Sequence, residues 1–393
     1  MKVNAPGHGV VLAGMIAAML LTGAAIFSAG SVTHGFVSYY AASRLLVGGE
    51  LGPTAYDDRW FGEVVQRITA SSVREIFIPN PPTMSLMALP LVRLDPQPAR
   101  AVWLLASVVA FIAGIAALVR HRARQRDALS SPVLLLMMLA PAVFTNIRIG
   151  QGYLLVAGLF AAAVVSLLRG RDRVGGVCLG LLLALKTSGV ALAVLLLARK
   201  RWTALRSAIV TAIGLAIAIT PFIDAQMWFD YPLQVRAYVD RPASSVTAYQ
   251  TTLGLVRHLC VADPQWNPTP AANCAGIAFV LPTLIVGAAT MLTVFLGMRA
   301  ARPEPWLAAA ASLSVLSLPA VAEPHFVLMA IPLALPRLSM AETVLIGALL
   351  IVPMEWTAER FTTGWSSLLA YPRLYAAWGL WAISVRQMWT DRP

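Results

Sequence analysis

Between positions 10 and 27 the chain carries no charged side chain, and similar runs recur at 101–118, 152–168, 207–222, 276–297 and 306–322. A helix needs roughly 20 apolar residues, at about 1.5 Å each, to cross a bilayer. Runs of this length belong either in the core of a very large soluble domain or in lipid. Composition decides between the two. Only 12% of the 393 residues are charged, against about 25% in a soluble domain. So few charges cannot cover the surface of a soluble protein of this size, whereas lipid removes that requirement. The chain is therefore expected to be one integral membrane domain over 1–393. The first run has a competing reading as a cleaved signal peptide, but Lys2 is its whole positive flank and the run is long for that role.

The net charge of +12 invites a nucleic-acid reading, which the distribution of the charge excludes. The basic residues sit in short clusters at the ends of apolar runs: Arg120, Arg122, Arg124 and Arg126; Arg169, Arg171 and Arg173; Arg199, Lys200, Arg201 and Arg206; Arg299 with Arg302; Arg386 with Arg392. That is the positive-inside pattern, and it places these five loops in the cytoplasm.

With the clusters fixed inside, twelve crossings follow, with both termini inside. Residues 31–100 form a first outer loop and 223–275 a second. Spans at 131–145 and 152–168 make a hairpin whose tip, 145–151, lies outside. Residues 174–198 start and end inside, so they turn outside near Lys186. Each half is then about 12 residues, some 18 Å, short of the ~30 Å hydrocarbon core. Broken helices of this kind are tolerated where they line a protein-enclosed cavity. The chain turns outside again near Glu323 and descends through 325–336, and two more spans complete the set. The apolar segment 76–92 contains Pro79, Pro81, Pro82 and Pro90 and reads as re-entrant or interfacial. Trp60, Phe61, Trp228, Phe229 and Trp266 suit short helices lying at the interface within the outer loops. Cys260 and Cys274 fall in the second outer loop, either paired on the oxidising side or as two free thiols. No Cys/His spacing suggests zinc and no glycine loop suggests a nucleotide fold, so no metal and no cofactor is expected.

Ionisable groups at the edge of a bilayer cost several kcal/mol unless they face a cavity or a partner. Few such groups are present, and on this topology all of them face outside. Asn146, Arg148 and Gln151 sit at the hairpin tip, and Lys186 sits at the turn between two short helices. Glu323 and His325 sit in Ala-Glu-Pro-His-Phe326. His34, Tyr39, Tyr40, Asp57 and Asp58 lie in the first outer loop, and Asp224 and Asp230 open the second. Each also has a plain role: a lysine near a span end snorkels, Gln151 or Asn146 caps a tight tip, Asp57 and Asp58 form a solvated pair, and Asp224 caps the loop entry.

Several stretches taken together resemble a known family. They are Phe36-Val-Ser-Tyr-Tyr-Ala-Ala-Ser-Arg-Leu-Leu-Val-Gly48 followed by Tyr56-Asp57, the proline-rich 79–90 segment, Asn146 through Gly150-Gln151, Gly180-Leu-Leu-Leu-Ala-Leu-Lys186, Arg199-Lys-Arg-Trp202, and Glu323-Pro-His325 with Val327-Leu-Met-Ala-Ile-Pro-Leu-Ala334. In order and spacing they resemble the GT-C glycosyltransferases that use polyprenyl-phosphate sugars, most closely family 87, which includes bacterial mannosyl- and arabinofuranosyltransferases. The resemblance implies an all-α, polytopic transmembrane helix bundle of GT-C type with two extracytoplasmic loops. It also implies a polyprenyl-phosphate-linked sugar donor, and a glycan, glycolipid or protein acceptor. Transfer would occur on the extracytoplasmic face of a bacterial inner membrane. Arg148 and Lys186 would then bind the donor phosphate, which cations make a better leaving group. Tyr39, Tyr40, Asn146, Gln151 and Glu323 would bind substrate.

The chain departs from the family pattern at the acid that usually precedes the Phe of Phe-x-x-Tyr-Tyr, which here is Gly35. The general base that an acceptor hydroxyl needs is then His34, Asp57, Asp58 or His325. A transporter or flippase for a lipid-linked sugar is the competing function, since broken helices and buried charge suit transport too. The absence of an internal repeat and the two long outer loops argue against it. The missing acid also leaves room for an inactive family member acting as a scaffold.

Overall fold

The computed structural model describes residues 8–124, 134–135, 137–241, 249–264, 267–353 and 360–391. Arg126, Trp266 and Arg392, and most of the first half of the expected 131–145 span, lie outside the described residues. Among the described residues the chain is helical, with only isolated β-bridges. Four helices among the described residues are long and apolar enough to cross a membrane: Gly9–Ser28, Pro96–Ala123, Trp202–Phe222 and Val280–Arg299. They display large apolar side chains outward, such as Met19, Val210 and Met291, each well over half exposed. An aqueous surface would penalise such display, and lipid accommodates it. The protein is an integral membrane protein. Shorter apolar helices include Tyr153–Leu168, close to the expected 152–168 span.

The first helices are α1 (His8–Ser28), α2 (Phe36–Gly48), α3 (Asp58–Thr69) and α4 (Pro96–Arg124). The Asp57 carboxylate caps α3 by accepting the Trp60 N–H at 2.8 Å. Phe61, read from the sequence as interfacial, is instead buried beneath α3 against Phe77, with ring centroids 5.5 Å apart. Segment 76–92 forms two short 3₁₀ turns, at Pro82–Leu86 and Leu89–Leu91, because its prolines remove the N–H groups a longer helix needs.

Next come α5 (Pro141–Ile149), α6 (Tyr153–Leu168), α7 (Asp172–Lys186), α8 (Val190–Ala198) and α9 (Trp202–Ile219). The hairpin tip falls a little later than expected. Helix α5 runs through Ile149 and stops at Gly150, which adopts the left-handed conformation (φ 71°) that closes helix ends. Helices α7 and α8 are the expected broken pair, joined at Thr187–Gly189 directly after Lys186. Helix α7 crosses α9 at close range, since a Cβ at Gly176 or Gly180 would run into the carbonyl oxygens of Ala204 and Ala208.

The 223–275 segment carries α10 (Gln226–Asp240) and α11 (Thr252–Cys260), and the Cys260 and Cys274 sulfurs are bonded to each other. The 31–100 and 223–275 segments dock on one another. The Asp224 N–H donates to Leu51 O at 3.1 Å, Arg241 pairs with Asp58 at 2.6 Å, and Tyr56 stacks on Tyr231. The chain ends with α12 (Val280–Arg299), α13 (Pro303–Leu316), α14 (Ala330–Ala334), α15 (Met340–Ile351) and α16 (Pro372–Thr390). The expected 325–336 span is a 3₁₀ segment, Glu323–Met329, followed by the five-residue α14. Pro324, Pro332 and Pro336 keep a regular helix from forming there.

The arginine clusters meet at one end of the bundle, where several guanidiniums cap helix ends as well as carrying charge. Arg122 is fully buried and donates to Leu335 O and Pro336 O at 3.0 and 3.2 Å. Arg199 donates to Gly297 O and Ala300 O, and Arg201 pairs with Asp172 and binds Leu167 O. The orphan carbonyls of helix C-termini are thus satisfied by the cations their dipoles favour.

Candidate active site

The other end of the bundle holds a cavity of about 530 Å³, within the range of small-molecule sites. It is bounded by α2, the 75–81 segment, the α5–α6 tip, the α7–α8 turn, α10 and the Glu323–Met329 turn. Lys186, Arg148, Gln151, Tyr39, Glu323 and His325 all line it.

Lys186 is its electrostatic centre. The last residue of α7, it donates from Nζ to Asn80 Oδ1 at 2.8 Å. Nζ also lies 4.8 and 5.0 Å from the ring centroids of Tyr39 and Tyr153. All these partners are neutral, and among the described residues no carboxylate is within ion-pair distance of Lys186. Arg148, in the last turn of α5, is exposed, and its guanidinium has no partner among the described residues. Its backbone is fixed by Arg100, a fully buried residue that donates to Arg148 O at 2.8 Å and also to Ser28 O. Among the described residues, the cavity therefore holds two cations with no carboxylate in direct contact, an arrangement that favours an anionic ligand.

Tyr39 donates its hydroxyl to Gln151 Oε1 at 2.6 Å and accepts the Gly152 N–H at 3.2 Å. Burial, far more than the nearby Glu75 charge, pushes its phenol above the ordinary tyrosine range, against the opposing pull of the Gly152 N–H. It therefore stays a neutral donor. His325 stacks on Tyr153 at 3.9 Å between centroids, with Nδ1 3.1 Å from Ala322 O. A carbonyl only accepts, so the neutral ring carries its proton on Nδ1 and keeps Nε2 as an acceptor. Glu323 is already engaged. Its carboxylate pairs with the fully buried Arg373 at 2.5 Å and accepts the Thr145 hydroxyl at 2.7 Å.

Other residues singled out from the sequence lie outside the cavity lining. Tyr40 follows Tyr39 by about 100° around the helix, and its hydroxyl donates to Leu94 O at 2.6 Å. Asn146 is fully buried and donates to Ala142 O and Pro324 O, pinning α5 to the 3₁₀ turn. Asp57 caps α3 and Asp58 pairs with Arg241. His34 stands at the rim, its side chain 66% exposed and Nδ1 3.9 Å from Glu75 Oε2.

The model of glycosyltransferase family 87 matches residues 77–322, well over half of the chain. The chain belongs to glycosyltransferase family 87. It is a membrane glycosyltransferase, and the transporter reading falls away. The family match begins two residues after Glu75 and ends one residue before Glu323, so the 36–48 and 323–334 motifs stand on the sequence resemblance alone. No curated protein matches the transferase. Among solved structures, ArnT from Cupriavidus metallidurans bound to undecaprenyl phosphate aligns at 13% identity and TM-score 0.47, covering 98% of this chain and 78% of that one. Apo ArnT aligns at 14% and 0.38, covering 98% and 77%. These scores are too low to argue from, and the assignment rests on the family match.

The geometry of the transferase also brings in residues that the sequence reading passed over. Glu75, Asn80 and Tyr153 line the cavity and Arg373 holds Glu323. Glu75 carried a legible signal, as a lone acid at the mouth of the apolar 76–92 segment. Arg373 carried the same signal at the start of the last apolar run.

Proposed function

We propose that this membrane glycosyltransferase moves a sugar from a polyprenyl-phosphate donor to a glycan, glycolipid or protein acceptor on the extracytoplasmic face of a bacterial inner membrane. One observation carries this reading: an ammonium, Lys186, faces a cavity at the hinge of a broken helix pair with only neutral partners. A lipid phosphate supplies the missing negative charge. Arg148 supplies a second cation to the same group, with the planar donors that suit phosphate oxygens. As the sugar–phosphate bond breaks, charge grows on the leaving phosphate, and both cations stabilise it. Tyr39, Gln151 and His325 Nε2 offer donors and acceptors for sugar hydroxyls.

The side of the membrane follows from the arginine-rich end taken as cytoplasmic, and the Cys260–Cys274 bond in the second loop favours the same orientation. The decisive assay uses the purified protein in proteoliposomes, with radiolabelled polyprenyl-phosphate mannose, arabinose or glucose and candidate acceptors. Label transfer with release of polyprenyl phosphate is expected. A protein that binds these donors but transfers from none of them is the inactive scaffold instead. In a Cys178→Ala background, His34→Cys is expected to react with an impermeant thiol reagent from outside and Arg173→Cys from inside. The reverse pattern would overturn the orientation.

A further inference from the structure

We infer that Glu75 is the general base of the transfer reaction, an inference that rests on the proposed polyprenyl-phosphate chemistry. Among the described residues that line the cavity, the carboxylates are Glu75 and Glu323. Glu323 is committed to the buried Arg373 guanidinium and the Thr145 hydroxyl. A proton taken there would break a buried ion pair, which is strongly unfavourable. Glu75 has no such bond. Its oxygens accept two backbone amides, Gly35 N–H on Oε2 at 2.7 Å and Ile76 N–H on Oε1 at 3.0 Å. Its nearest cationic candidate is the exposed His34 ring at 3.9 Å. Two amide bonds fix the carboxyl group while leaving each oxygen a free lone pair. The side chain is 20% exposed, so an acceptor can reach it.

Position 35 explains why the acid comes from residue 75. Gly35 has φ +77° and ψ −72°, a conformation essentially reserved for glycine. A Cβ there would lie 2.7 Å from Ile149 O and 3.1 Å from the Gln151 side chain. No acidic side chain fits at 35 in this fold. Instead the Gly35 amide donates to the carboxylate of Glu75, which lines the cavity with Gln151. His325 is a poorer proton acceptor, because it flanks Tyr153 together with Lys186 and a proton there would set a second cation beside the first.

In the step itself, the acceptor oxygen bonds to the anomeric carbon of the donor sugar. The bond from that carbon to the phosphate oxygen breaks, and its electron pair leaves on the polyprenyl phosphate. The acceptor hydroxyl proton passes to Glu75.

The test measures kcat, donor KM and pH profile for wild type, Glu75→Gln and Glu75→Asp in the transfer assay. A general base contributes about 10²–10⁴-fold. Glu75→Gln is expected to lose at least ~10²-fold in kcat, to keep donor KM near wild type, and to lose the acid limb of the pH profile. Should Glu75→Gln fail to fold, Glu75→Asp decides. It keeps the charge about 1 Å short of the acceptor, a displacement able to cost ~10²-fold, and is expected to retain the acid limb with lowered kcat. A Glu75→Gln kcat near wild type, a loss confined to donor KM, an unchanged pH profile in Glu75→Gln, or full activity in Glu75→Asp each overturns the assignment. A wild-type protein that transfers from no polyprenyl-phosphate donor overturns the donor reading instead, which separates the two failures.

Discussion

Lys186→Met separates binding from folding at the cavity. In wild type the ammonium donates to Asn80 and lies over two tyrosine rings, with no carboxylate among the described residues in ion-pair contact. A hydrogen bond to a charged group is worth about 1.5–3 kcal/mol, so removing the phosphate's main cation should weaken donor binding roughly 10- to 150-fold. For folding the terms oppose one another. The variant loses one hydrogen bond and two cation–π contacts of about 0.5–2 kcal/mol each. It also no longer desolvates an unpaired ammonium, a cost of several kcal/mol, and methionine fills most of the volume. The melting temperature is therefore expected to stay within about 2 °C of wild type, where 1 kcal/mol moves a chain of this length by only one or two degrees. The assay is donor titration in nanodiscs, by displacement of a labelled polyprenyl phosphate, alongside a thermal unfolding curve. Donor affinity within threefold of wild type would refute the role of the unpaired cation. Loss of binding together with a melting point lowered by more than about 5 °C would mean that Lys186 serves structure rather than phosphate.

Three further outcomes are expected. Arg373→Met strands the Glu323 carboxylate and should cost about 3–5 kcal/mol, roughly 4–6 °C of melting temperature, while adding Glu323→Gln should recover most of it; additive losses in a double-mutant cycle would contradict this. Gly35→Ala should lower stability by roughly 1–3 kcal/mol and abolish transfer, because the new methyl strains φ and meets Ile149 O; an unfolding curve and the transfer assay check it. His258 bonds Thr362 O and faces the Tyr371 hydroxyl. Burial holds its pKa below the ordinary histidine value, with the Thr362 carbonyl acting the other way. The unfolded chain takes up a proton near pH ~6.5 and the native one does not, so this contribution is whole above that pH and declines as pH falls below it, by at most about 1.4 kcal/mol per unit. The melting point of His258→Gln should accordingly fall less steeply from pH 7 to 5 than that of wild type.

Much of this architecture was legible because lipid leaves few places for a charge. Lys186, Arg148, Gln151, Glu323 and His325 stood out as lone polar residues in apolar surroundings, and they converge on one cavity. The broken pair at Lys186 followed from its length between two arginine clusters. What stayed hidden depends on partners far apart in sequence. Arg122 reads as a solvated loop charge until Leu335 and Pro336 bury it. Tyr39 and Tyr40 are equivalent in a motif, yet helical rotation sends only the first into the site. Glu75 stood out in the sequence only as an acid before an apolar segment, and its partner, the amide of Gly35 40 positions away, came from the fold.

The two short helices that meet at Lys186 also bear on biogenesis. At 15 and 9 residues they measure about 22 and 14 Å, and neither alone spans the ~30 Å core. With the arginine-rich end cytoplasmic, as proposed, the pair would insert as one hairpin with the ammonium at its leading tip. A lysine deep in the bilayer costs about 2.5–3.5 kcal/mol on insertion scales. The Val and Leu residues at 190, 192 and 194–197, at roughly 0.3–0.6 kcal/mol each, offset about 2–4 kcal/mol. The purely aliphatic sequence of the second helix thus matches the toll of carrying Lys186 across, and polar substitutions along 190–198 should surface first as failed insertion rather than as a damaged enzyme.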